Sequence, residues 1–166
     1  GKELARTLLS QELNVILVAR DEPLFGTTVE ELQAQFPAQS VLRVNANLSD
    51  ASGTWMESVK KAVGDKDVQC VFLNAGFILT GMFEQNAVEA HRANLHCNLT
   101  SNVWLSHYFY ERLLAKQLRG CIVFTSSSAS YIPNPFAVMY AATKSGVSAF
   151  AASLACEARP RGIQVH

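Results

Sequence analysis

Val68-Gln69-Cys70-Val71-Phe72-Leu73-Asn74-Ala75-Gly76 decides the fold. The run Val68 to Leu73 has the length and apolar density of a strand buried on both faces, and it empties directly into a small-residue turn. Val15 to Ala19 and Cys121 to Thr125 read the same way, Val41 to Val44 is a shorter strand, and Ile163 to Val165 begins another. Between them lie helix-forming stretches. Lys2 to Gln11 carries Leu4, Ala5, Leu8 and Leu9 at helical spacing, and Thr28 to Gln35 is a modest helix ended by Pro37. Ser49 or Ser52 is placed to cap a helix running to Val63, with Gly64 as its stop. Asn86-Ala87-Val88-Glu89 has the form of a capping box opening a long helix to about Lys116. A smooth alanine-rich helix is expected from Ala137 to Ala158, stopped by Pro160 and Gly162. Strands alternating with helices imply an α/β fold with a doubly wound parallel sheet, residues 1–166 forming a single domain. Ligands in such folds bind outside the carboxyl ends of the strands. Arg20, Asn74-Ala75-Gly76 and Ser126-Ser127-Ser128 all fall there.

The chemistry-bearing pattern is Tyr140-Ala141-Ala142-Thr143-Lys144. Residues four apart share one helix face, so the ammonium of Lys144 lies within reach of the Tyr140 phenol. A phenol ordinarily keeps its proton to about pH 10, and a neighbouring cation favours its ionised form. A serine hydroxyl delivered from a strand end could hold a carbonyl or an alcohol against that tyrosine. The constellation suits proton transfer coupled to oxidation or reduction at carbon. Taken alone it also fits a tyrosine and a lysine on any amphipathic helix.

Composition narrows the partners. The 166 residues carry zero formal net charge, 49% hydrophobic and 17% charged residues, and no basic block. A soluble globular chain is expected, with no electrostatic capture of nucleic acid. No apolar run approaches the roughly 20 residues of a membrane-spanning helix. Cys70, Cys97, Cys121 and Cys156 are scattered among apolar neighbours, without metal-ligand spacing to one another or to the four histidines. They are expected as buried or inert thiols in a reducing compartment, the cytoplasm, and no metal site is expected.

With these residues in place, the chain resembles the short-chain dehydrogenase/reductases. The match rests on Asn74-Ala75-Gly76 after a strand, Asn98-Leu99 in the long helix, and Ser127 thirteen residues before Tyr140, which is followed by Lys144. The resemblance implies that Tyr140 exchanges a proton with the substrate oxygen. Lys144 lowers the tyrosine pKa and holds the cofactor ribose, and Ser127 positions the substrate oxygen. Asn98 interrupts its helix and holds a water of the proton relay. Asn94-Leu95 has the same form as Asn98-Leu99 and is its rival. Asn74, Ala75 and Gly76 line the adenosine side of a nicotinamide dinucleotide. Arg20 follows a strand where relatives using the non-phosphorylated cofactor carry an acid, which favours NADP(H) over NAD(H). Asn47, next to Leu48, stands where the family often has an aspartate touching adenine.

Gly1 fits the last glycine of the family's pyrophosphate-binding turn, which would leave the first strand outside the chain. In the family's sheet order, 3-2-1-4-5-6, its absence leaves a space of roughly 9.6 Å between Val15 to Ala19 and Val68 to Leu73. The chain also stops at His166, before the family's remaining strands and substrate lid. The expectation is therefore an incomplete Rossmann-like sheet in a piece of a longer protein. The implied activity is interconversion of a small, hydrophobic carbonyl/alcohol pair, the pocket being lined by Phe77 to Gln85 and Tyr131 to Met139. A homodimer through the long helix and the alanine-rich helix is implied too. Two other readings stand beside it: an extended-type relative acting on a nucleotide sugar, and a scaffold or fragment that keeps the motif without holding a cofactor.

Overall fold

The apolar runs form strands, and every strand pairing is parallel. The computed structural model describes residues 1–166, and their contacts gather into two compact units, Gly1–Lys66 and Asp67–His166. The strands make two sheets, one of two strands in the first unit and one of three in the second. This is the α/β architecture of parallel strands and alternating helices that the pattern requires.

In the first unit, α1 (Lys2–Ser10), β1 (Val15–Ala19), α2 (Pro23–Gln35), β2 (Val41–Asn45) and α3 (Trp55–Val63) follow in order. Val15 and Val41 are register partners. They form one core with Ala5 and Leu9 of α1 and Leu32 of α2. Val44 is also buried and has the opposite parity, so both faces of the strand pair are covered. Helix α2 starts earlier than its apolar spacing predicts, because Pro23 occupies its first turn, where a missing N–H costs nothing. Neither serine caps α3: Thr54 is its N-cap, and the Ser52 hydroxyl bonds to Asp50 at 2.7 Å. Gly64 ends that helix as expected.

In the second unit, β3 (Cys70–Leu73) leads through a loop to α4 (Val88–Leu95), a π-helical turn (His96–Thr100) and α5 (Ser101–Ala115). Then come β4 (Gly120–Phe124), α6 (Val138–Ala158) and β5 (Ile163–Val165). The capping box is not made. Asn86 donates instead to Thr80 O at 3.2 Å, and α4 begins after Ala87 without a side-chain cap. Leu113 of α5, Ala158 of α6 and Ile163 of β5 share one core. No helix is long and apolar enough to cross a membrane.

The start of β4 is packed to its limit. A Cβ at Gly120 would lie 2.5 Å from Gln69 O and 2.7 Å from Leu113 Cδ2, the first of these a backbone atom that cannot swing aside. Gly120→Ala is expected to cost about 2 kcal/mol by overpacking. In urea this reads as a lower midpoint at unchanged slope. An unchanged midpoint would mean that the β3–β4 start yields freely.

Candidate active site

The expected residues of the second unit gather at the carboxyl ends of β3 and β4. Asn98 lies in the π-helical turn and is fully buried. Its Oδ1 accepts from Phe77 N at 3.0 Å, while its Nδ2 donates to Phe77 O at 2.9 Å and to Thr143 Oγ1 at 3.2 Å. A π turn takes backbone carbonyls out of the regular α ladder. Here side chains take up two of them: Ser101 Oγ donates to Cys97 O at 2.7 Å and Asn102 Nδ2 to Asn98 O at 2.9 Å. The helix is thus interrupted at Asn98, as the resemblance implied.

Asn94 is no simple competitor. It is equally buried, and its Nδ2 donates to the same Phe77 carbonyl at 2.8 Å, but its Oδ1 is buried without a partner. Asn98 alone of the two also reaches Phe77 N and Thr143.

Lys144 and Tyr140 are one turn apart on α6, with Nζ 5.6 Å from the tyrosine ring centroid. The lysine is buried and donates to Thr125 O at 2.6 Å. Burial pushes its pKa down from the usual lysine range, and charge on Cys97 opposes this in part. Ser127 caps a short 3₁₀ turn, its Oγ accepting from Ala129 N at 3.2 Å. The hydroxyl hydrogen of such a serine can still be donated. Ser145 Oγ donates to Ser130 O at 3.0 Å and ties this turn to α6. Asn74 Oδ1 accepts from Thr125 Oγ1 at 3.1 Å, which joins the ends of β3 and β4.

Gly76 supplies close approach: a Cβ there would stand 3.1 Å from Asn98 Oδ1 and 3.7 Å from Lys144 Nζ. The residues present fit the ribose end of a nicotinamide dinucleotide. An ammonium has three N–H donors, and Thr125 O takes one of those of Lys144. The neighbouring backbone at Gly76 carries no side chain in the way.

Around this cluster the loops are apolar and open. Ile78, Met82 and Phe83 in one, and Tyr131, Ile132 and Phe136 in the other, are exposed. Gly81 N donates to Phe136 O at 2.9 Å, which brings the two loops together.

In the first unit, Arg20 is exposed after β1 and pairs with Glu22 at 2.7 Å. Asp21, the next residue in sequence, bonds to Arg43 at 2.5 Å. Asn47 Oδ1 accepts from Ser49 N at 3.2 Å, and Leu48 turns its side chain into the core. Gly1 caps α1, its carbonyl accepting from Ala5 N at 3.0 Å. Sequence reasoning missed Thr125, Thr143 and Arg43. The two threonines each stand one residue from a motif, Ser126 and Lys144 respectively, and that adjacency was the available signal.

Comparison with known proteins bears on the family and the fold. The short chain dehydrogenase family model matches residues 1–166. A very-long-chain 3-oxoacyl-CoA reductase of Laccaria bicolor is 24% identical over 167 residues, 99% of this chain and 49% of that protein. A short-chain type dehydrogenase/reductase of Sinorhizobium fredii is 29% identical over 158 residues, 95% of this chain and 58% of its own length. The chain thus spans about half the length of the curated relatives it matches. Among solved structures, a metagenomic short-chain oxidoreductase in complex with NADP is 25% identical, with a TM-score of 0.84, covering 98% of this chain and 72% of that one.

Proposed function

We propose, from the premise that this chain belongs to the short-chain dehydrogenase family, that it carries the acid–base centre of an NADP(H)-dependent oxidoreductase interconverting a carbonyl and an alcohol. The observation that carries the reading is the buried Lys144 ammonium, held by Thr125 O one helical turn from Tyr140 and beside Gly76. Tyr140 exchanges the proton with the substrate oxygen, and Ser127 donates its hydroxyl hydrogen to that oxygen. Lys144 keeps a positive charge beside the phenol and offers N–H donors to ribose hydroxyls. Asn98 fixes the Phe77 backbone and hence the edge of the site. Asn74, Ala75 and Gly76 line the cofactor at the ends of β3 and β4, and Gly1, Arg20, Asn47 and Leu48 are its candidate contacts in the first unit. The bound nicotinamide supplies hydride chemistry.

A hydrophobic substrate is supported by the exposed apolar loops, Phe77 to Gln85 and Tyr131 to Met139, and by the long-chain reductases among the relatives. Titration of NADPH fluorescence, followed by turnover of a hydrophobic ketone, tests the reading. Absence of cofactor binding by the whole protein would favour a scaffold role and sink the enzyme.

Arg20 is the residue proposed to meet a 2′-phosphate, released from Glu22 when it does so. Arg20→Ala is expected to weaken NADPH binding about tenfold, near 1.4 kcal/mol, with NADH binding unchanged. Equal weakening of both would remove Arg20 from that role. Small residues of α6, including Ala142, Ala149 and Ala152, are exposed and suit close packing against a second copy. Sedimentation velocity at increasing concentration would reveal a dimer or exclude it.

A further inference from the structure

The cysteines are not the uniformly buried thiols that their apolar neighbours suggest: Cys70 and Cys156 are exposed. Cys70 also has a partner. It stands opposite Cys121 in register on the parallel strands β3 and β4. Neighbouring strands run roughly 4.8 Å apart, inside the roughly 4.4–6.8 Å Cα separation that a disulfide accepts. Burial, with the neighbouring Cys70 thiol adding to it, pushes the Cys121 thiol up to about 11. Both cysteines line a cavity of about 720 Å³ at the amino ends of the strands, with Arg119 and Arg159 on its wall. The centre at the carboxyl ends uses neither thiol.

We propose that Cys70 and Cys121 are a redox-active pair that closes reversibly into a cross-strand disulfide on reaction with a low-molecular-weight disulfide of the glutathione class. Cys70, the exposed member, attacks as thiolate. Its sulfur bonds to one sulfur of the oxidant, the oxidant's S–S bond breaks, and one glutathione thiolate leaves. Cys121 then attacks the Cys70 sulfur, the mixed disulfide breaks, and a second glutathione leaves, taking up the proton that Cys121 gives. Two protein thiols are oxidised and one glutathione disulfide is reduced to two glutathiones. The guanidinium groups of Arg119 and Arg159 suit the carboxylates of such a molecule.

The test uses the full chain treated with glutathione disulfide, blocked with iodoacetamide, digested without reductant and mapped by mass spectrometry. The expected product joins the Cys70 and Cys121 peptides at a mass two hydrogens below their sum, reverts with dithiothreitol, and leaves Cys97 and Cys156 alkylated. In Cys121→Ser, Cys70 should stop at the mixed disulfide and carry one glutathione. Recovery of both peptides alkylated and unlinked, or oxidation centred on Cys156, would overturn the proposal. The map of the unaltered chain decides it even where the variant folds poorly.

Discussion

Tyr140→Phe is expected to lower kcat for carbonyl reduction by about 10²- to 10⁴-fold, the range over which a positioned general acid acts. Binding of NADPH should stay within about twofold, because the change removes a single oxygen and leaves the ring that Lys144 approaches. Loss of an interaction made only in the transition state lowers kcat and kcat/KM together, and that pairing is the signature to look for. Tyr140 is partly exposed, so the substitution opens no cavity. Stability should shift by no more than about 0.5 kcal/mol, which separates lost chemistry from lost fold. Retained turnover with an intact fold would take the tyrosine out of its role and move attention to Ser127.

Asn98→Ala should produce the largest stability loss at the site, about 3 kcal/mol, near the top of the range for leaving a buried polar group unpaired. The reason is connectivity. Asn98 is the side chain that bonds Phe77 N, and it also reaches Phe77 O and Thr143 Oγ1. Asn94→Ala is the informative contrast, at about 1 kcal/mol. The carbonyl it releases is still held by Asn98, and the change also removes a buried oxygen that had no partner. Because both amides share one acceptor, the double variant should cost more than the sum of the single losses, since only then is Phe77 O left bare. Urea unfolding of the four proteins measures this. Simple additivity, or a cost for Asn94→Ala equal to that for Asn98→Ala, would show that the shared carbonyl is not what couples them.

Strands, helices and the Tyr140–Lys144 pair were legible because each follows from a local period: continuous apolar runs for β1, β3 and β4, and a four-residue spacing on α6. What escaped depends on where chain segments meet. The side chain of Asn86 has a choice between its own helix and a loop carbonyl, and the Thr80 carbonyl of the preceding loop prevails. Asp21 and Glu22 both follow Arg20, and only the position of Arg43 on β2 decides which acid remains to pair with it. Cys70 and Cys121 are far apart in sequence, and their contact is a consequence of strand register. Thr125 holds Lys144 through a backbone carbonyl, a group every residue possesses, so only its place beside Ser126 pointed to it.

The π turn at His96–Thr100 also sets a phase. Each α-helical residue advances roughly 100° around the axis, and a π turn accommodates about one residue more than the regular winding. Beyond Thr100 the helix is therefore offset by about a quarter of a rotation from where α4 alone would have carried it. Asn94 and Asn98 look toward Phe77, while Leu105, Phe109 and Leu113 are buried along α5. A helix without that offset would have to give up part of one alignment to keep the other. The surplus residue acts as a dial: it lets the helix turn one side to the reacting end of the strands and another to the packing beneath them.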